Sequence, residues 1–318
     1  MNTIPTIFNQ RRATYTVVGG NRRAASTGLS AILLNRGGRY LRRNVFEELE
    51  KAGFDLVVSV EGPHESFDLE ELSIRFPSVK FLKLQESVGP GESINLAVDE
   101  LSCDRFIVLW NDLRIVHGVS PVRTVERLVA EPFLCMVPTL QNGRFETLPT
   151  LKAPAFFRGS VKTLSFAPTR EGTPSLYPFD YVGIYDRDRF VRLGGFDPTI
   201  VSPFWQLLDF GFRSQLWGES IRCTTSFRLR YEGDLPTEDS TVDDGYKSFY
   251  LKNLAPSFRG DQANLPYRRF FSYLRRAGVG PFDAWKEYAE ARRWVAVNRY
   301  RFVCDARRVT ELWENPEG

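Results

Sequence analysis

Short apolar runs, polar turns and segments of helical period alternate along the first third of this chain. Leu29–Leu34 is a short apolar run ending at the turn Asn35-Arg36-Gly37-Gly38, the mark of a buried strand. Residues 40–52 place Leu41, Val45, Phe46, Leu49 and Ala52 at helical spacing, and Gly53 suits the stop. A second buried strand is predicted over 54–60, running into Glu61-Gly62-Pro63. A helix over 68–76 closes at Pro77, and a third strand covers 79–84. Gly89-Pro90-Gly91 opens a helix reaching Leu101, and a fourth strand over 106–110 leads into Asn111-Asp112. Strands alternating with helices at this rhythm predict β-α-β units and a mainly parallel sheet, with right-handed crossovers. Ligands of such sheets bind at the carboxyl ends of the strands. Asn35, Glu61 and Asp112 stand at three such ends and form one candidate site.

Further along, a helix is predicted over 120–130, strands and loops over 132–185, and a short helix over 187–193 before Gly194-Gly195-Phe196-Asp197. Residues 204–217 have helical period and 224–230 read as a strand. After Glu232 the texture changes: an acidic loop over 237–244, then a segment rich in Arg, Tyr, Phe and Trp with helices expected over 246–254, 268–277 and 283–310. The expected organisation is a loose arm over 1–27 with a short strand near 15–18, an α/β domain over 28–236, and a C-terminal helical extension over 237–318.

Composition narrows the classes. Hydrophobic residues make up 42% and charged residues 25% of 318, as in an ordinary globular protein. With 42 basic and 39 acidic residues the net charge is +3, and no clustered basic face calls for a nucleic acid. No apolar run approaches the ~20 residues of a membrane-spanning helix, and residues 1–27 lack a signal-peptide pattern. The expected location is therefore cytoplasmic. Cys103, Cys135, Cys223 and Cys304 are far apart and read as reduced, mostly buried thiols. Two histidines, His64 and His117, argue against a histidine-based metal site or triad.

Several stretches, in order and spacing, resemble the inverting family 2 glycosyltransferases of the A-type fold, over about residues 29–232. They are the strand into Asn35-Arg36, the strand into Glu61, Gly89 with Asn95 six positions on, and Phe106-Ile-Val-Leu-Trp-Asn-Asp112. Downstream come Asp180-Tyr-Val-Gly183, Leu193-Gly-Gly-Phe-Asp197, and Leu207-Leu-Asp209-Phe-Gly-Phe-Arg213. The resemblance implies sugar transfer from a nucleoside diphosphate sugar to a hydroxyl of a glycan or lipid-linked acceptor. It implies donor contacts at Asn35, Arg36, Glu61, Gly89, Asn95, Asn111 and Asp112, acceptor-side residues Asp180, Gly195, Asp197 and Trp205, and Mn²⁺ or Mg²⁺ on Asp112.

The chemistry explains these residue types. A departing diphosphate gathers negative charge, which a divalent cation on carboxylate oxygens can stabilise. The family motif carries two acids where this chain has Asn111 and Asp112, with Arg114 close by as a possible source of positive charge. The attacking hydroxyl needs a base. The family's Glu-Asp pair falls on Gln206-Leu207, which leaves Asp209 as the expected base and Asp197 and Asp180 in reserve. Against this stands a plain Asp209–Arg213 pair one helical turn apart. Trp205 and Trp217 are sugar-stacking candidates or, at this period, core residues. The basic, aromatic extension reads as a helical cap, or as a surface for peripheral contact with the inner face of a membrane. A catalytically weak binding or scaffold protein of the same fold is the alternative reading. A nucleotidyltransferase fits less well, because no Gly-rich, Lys/Arg-containing triphosphate signature stands early in the chain.

Overall fold

The computed structural model describes residues 13–21, 27–37, 42–64, 68–116, 121, 123–124, 132–157 and 160–313. Its centre follows from the buried runs. Strands β2 (Leu29–Leu34), β3 (Val57–Glu61), β4 (Val79–Leu84) and β5 (Arg105–Trp110) pair in parallel in the order β4-β3-β2-β5. β2 and β3 are buried at every position, because helices α1 (Arg42–Ala52), α2 (Leu69–Arg75) and α3 (Pro90–Asp99) cross over between these strands. α1 turns Val45, Phe46 and Leu49 inward, and Asp68 caps α2 by accepting from the Glu71 N–H. The short strand expected in the N-terminal arm is β1 (Tyr15–Gly19), which lies antiparallel along the β4 edge.

Beyond β5 the sheet becomes mixed. The later strands are β6 (Leu113–Ile115), β7 (Cys135–Gln141), β8 (Leu151–Phe157), β9 (Ser160–Phe166), β10 (Gly183–Asp186) and β11 (Ile221–Tyr231). The sheet has nine strands among the described residues, in the order β1-β4-β3-β2-β5-β10-β7-β11-β6, and β8-β9 form a separate hairpin. This is the expected α/β class, a sheet with a parallel centre flanked by helices. Helices α4 (Arg187–Leu193) and α5 (Pro203–Leu216) fall where the pattern put them. The helix expected over 120–130 lies largely outside the described residues.

The extension contributes α6 (Asp244–Phe249), a wide turn over Tyr250–Leu254, the hairpin β12 (Ser257–Arg259) and β13 (Gln262–Asn264), α7 (Arg268–Ala277), α8 (Pro281–Asn298) and α9 (Ala306–Glu311). The single helix expected over 283–310 is two. Phe302 is buried against Trp217 and Trp294, the Val303 N–H donates to the Leu216 carbonyl at 2.8 Å, and Asp305 caps α9. Helical period continues through this break, but tertiary partners capture the backbone.

The extension shares the core of the α/β unit. Its wide turn sends Lys252 to Asp197 (2.5 Å) and Asn253 to Asp209 (2.7 Å), both fully buried acids. Asp209 also accepts from Arg213 at 2.8 and 3.2 Å, and both side chains are completely inaccessible. A surface pair at this spacing is worth a few tenths of a kcal/mol. A buried one is different, because removing one partner strands a desolvated charge at about 3–5 kcal/mol. Asp209→Asn is accordingly expected to lower unfolding stability by about that amount, read as a lower urea midpoint at unchanged slope.

Candidate active site

The site forms where register dictates. Leu34 of β2 pairs with Trp110 of β5, so Arg36 and Asp112, each two residues beyond its strand, arrive side by side. Arg36 Nε donates to Asp112 Oδ2 at 2.8 Å and Nη2 to Oδ1 at 3.0 Å, a bidentate pair. Its Nη1 donates to Asp180 Oδ2 at 2.8 Å, and Tyr231 Oη donates to the same oxygen at 2.9 Å. The guanidinium lies over Trp110, 4.4 Å from the ring centroid. Asn111 fixes the backbone beneath it, accepting from the Arg36 N–H at 3.3 Å and donating to its carbonyl at 3.1 Å. Burial opposes the Arg36 charge, but Asp112 and Asp180 outweigh it and hold the pKa above the usual arginine value. The side chain is thus permanently charged and still 23% exposed.

Asp180 is held in an unusual backbone. It and Tyr181 have φ of +54° and +63°, a conformation that costs non-glycine residues about 1–3 kcal/mol each. Side-chain donors help to hold the turn: Trp110 Nε1 to the Asp180 carbonyl, Tyr185 Oη to the Tyr181 carbonyl, and Tyr181 Oη to Gln206 Oε1. Burial raises the Asp180 pKa to about 6 and Asp112 adds to it, against the lowering pull of Arg36 and Tyr231.

Two hollows meet here. One of about 130 Å³ lies at the ends of β2, β3 and β4 and is lined by Asn35, Val60, Pro63 and Ser93. The other, about 260 Å³, is lined by Arg36, Asp180, Tyr181, Phe204, Leu207 and the loop from Pro236 to Asp239. Pro90 and Trp110 line both. That loop is anchored through Glu238, which accepts from Lys152 and from Tyr177 Oη (2.8 Å), and through Trp205 Nε1, which donates to the Thr241 carbonyl at 2.8 Å.

Other expected residues support the site from behind. Asn35 lines the smaller hollow and donates to the Val60 carbonyl at 2.8 Å. Glu61 is buried, with one oxygen on Ser59 and the other on Arg42, each at 2.6 Å. Asn95 clamps the Phe196 backbone through both its carbonyl and its N–H. Gly195 has φ +63° and its carbonyl accepts from Arg213. At the Gly89-Pro90-Gly91 loop the glycine that sterics require is Gly91: an added Cβ there would meet Gln206 Oε1 at 2.2 Å, whereas Gly89 faces only a carbonyl at 4.0 Å. Trp205 packs on Phe204, Tyr246 and Phe249, and Trp217 on Trp294.

Three expectations change. Asp209 and Asp197 lie away from the cleft, inside buried ion pairs; Lys252 and Thr199 outweigh burial and lower the Asp197 pKa. Arg114 turns to Glu232 (2.6 Å) and Glu48 (3.6 Å), so the charge beside Asp112 comes from Arg36. A metal on Asp112 would have to compete with the Arg36 guanidinium, which takes one lone pair of each carboxylate oxygen. Among the described residues no three His, Cys, Asp or Glu side chains gather as ligands. Sequence reasoning passed over Trp110 as a platform, Tyr231, and the Lys152–Glu238 anchor.

This architecture is the A-type glycosyltransferase fold. The chain superposes on the crystal structure of GalNAc-T7 with UDP, GalNAc and Mn²⁺ with a TM-score of 0.53 at 14% identity, covering 70% of this chain and 48% of that one. It also matches S. aureus TarS with a TM-score of 0.48 at 13% identity, over 91% of this chain and 46% of that one. The chain thus spans about half the length of these two proteins. No protein-family profile and no curated protein matches it.

The Asp180 environment has a thermodynamic signature. Its folded pKa of about 6 lies above the unfolded value of about 3.9, so the folded state binds the proton more tightly between them. Stability from this group therefore falls as pH rises from about 4 to about 6 and is level above. Asp180→Asn should remove that slope, seen by comparing urea unfolding of the two proteins across this range.

Proposed function

We propose that this protein is a glycosyltransferase that moves a sugar from a nucleoside diphosphate donor to a hydroxyl acceptor with inversion. The observation that carries the reading is the junction of two hollows at the carboxyl ends of β2–β5, with the permanent Arg36 charge lining the larger one. The nucleoside takes the smaller hollow beside Asn35, the diphosphate meets Arg36, and the sugar extends into the larger cleft. Single displacement inverts the anomeric centre, with the acceptor proton passing to a base as the hydroxyl attacks.

Inversion sets a constraint on that base, which must stand on the side of the sugar away from the leaving diphosphate. Asp180 is bonded to the group that meets the diphosphate, and Glu238 is bound to Lys152. Asp239 also lines the cleft and accepts from Thr241, whose hydroxyl and N–H lower its pKa. It stays ionised through the working range and is our choice of base. A lipid-linked acceptor suits the outer face of the extension. There Tyr267, Phe271 and Phe282 are exposed, as are Arg268, Arg269 and Arg275, a basic and aromatic composition of the kind that rests on anionic membranes.

A screen of nucleoside diphosphates by thermal unfolding tests the donor site. UDP is the first ligand to try, given the ligands in the GalNAc-T7 structure, and at 100 times its Kd it should add ~2.7 kcal/mol of stability. If no nucleoside diphosphate shifts the transition, the donor reading fails. Asp239→Asn should keep UDP affinity and lose ~10²–10⁴-fold in single-turnover transfer. UDP binding with no transfer by the parent protein would favour the binding-protein reading, which the glutamine at 206 and the burial of Asp209 support.

A further inference from the structure

We infer that Arg36 is the resident cation of the donor site, taking the place of a divalent metal at the acidic turn after β5, so that diphosphate binding needs no metal. The inference rests on the proposed donor site and deepens it. The carboxylates on which a dication at this turn would draw are Asp112 and Asp180, and both already accept from one guanidinium. To bind, the metal would have to displace a permanent positive charge stacked on Trp110 and pinned by Asn111.

The guanidinium is also suited to receive phosphate. Of its five N–H donors, three are used, by Asp112 twice and Asp180 once. The two that remain, one on Nη1 and one on Nη2, have no partner among the described residues, and Arg36 lines the cleft. A phosphate oxygen pair can meet that pair of donors in the bidentate geometry that arginine favours. Asp112 holds the opposite edge, so the charge is in position before the ligand arrives and little reorganisation is required.

Two titrations test this, with the nucleotide-free protein and with UDP. Mn²⁺ binding to the nucleotide-free protein, followed by the loss of its free-ion electron paramagnetic signal, should be absent in the parent. It should appear in Arg36→Ala, where Asp112 and Asp180 are released. By calorimetry, the parent should bind UDP equally in EDTA and in Mn²⁺. Arg36→Ala should lose at least about tenfold in EDTA, ~1.4 kcal/mol, and regain affinity in Mn²⁺. Arg36→Lys, which keeps a charge but loses the fork, guards against a misfolded alanine variant; it should fall between the two in EDTA. A parent that binds Mn²⁺ without nucleotide, or that loses UDP affinity in EDTA, overturns the inference. If the parent binds no UDP in either medium the donor reading falls, and the Mn²⁺ titration alone still decides whether Arg36 holds the cation's place.

Discussion

A single guanidinium ties together three parts of the chain that are remote in sequence. Arg36 belongs to the turn after β2, Asp112 to the turn after β5, and Asp180 to a strained turn ahead of β10. Without a positive charge between them, two carboxylates would share a partly buried space, and like charges so placed resist ionising together. The guanidinium resolves that conflict and at the same time fixes the strained turn, whose carbonyl is held by the ring on which Arg36 lies. The approach of the two turns and the hold on the strained one thus come from one interaction.

The order of the elements was legible because it depends on local pattern. Fully buried runs marked β2 and β3, helical spacing marked α1, and the polar strand ends marked the face on which the site forms. The site's pairings were not legible, for a physical reason. Arg36 and Asp180 are 144 positions apart, and nothing local to either reports the other. The Arg36–Asp112 pair is nearer to being readable: once β2 and β5 are neighbours in parallel, equal offsets beyond the strands bring the two together. Arg114 was nearer to Asp112 in sequence, yet it leaves along β6, which carries it to Glu232.

Helix α5 misled for a different reason. Period identifies a helix but not how much of it is covered, and α5 is buried on nearly every side. Asp209 therefore faces Arg213 and Asn253 rather than solvent. Gln206 has a similar explanation. Its Nε2 donates to the carbonyls of Asp197 and Ile200, and its Oε1 accepts from Tyr181. A carboxylate could accept from the tyrosine but could not donate to the carbonyls. The amide at this position is thus required by the packing of the helix entrance, and any proton-accepting group must come from elsewhere, such as the loop that closes the cleft.

The buried acids also bear on how the chain folds as it is made. Synthesis proceeds from the amino terminus at ~5–20 residues per second, and α5 is complete once Leu216 has emerged. Asp197 and Asp209 then wait for Lys252 and Asn253, which follow them by 55 and 44 positions. Until those residues arrive, sealing the helix against the sheet would desolvate Asp197 without its ammonium partner and Asp209 without one of its donors. Sealing of α5 is therefore favoured only once residues 252 and 253 have emerged, and a chain arrested before them would leave that face of the helix without its polar partners.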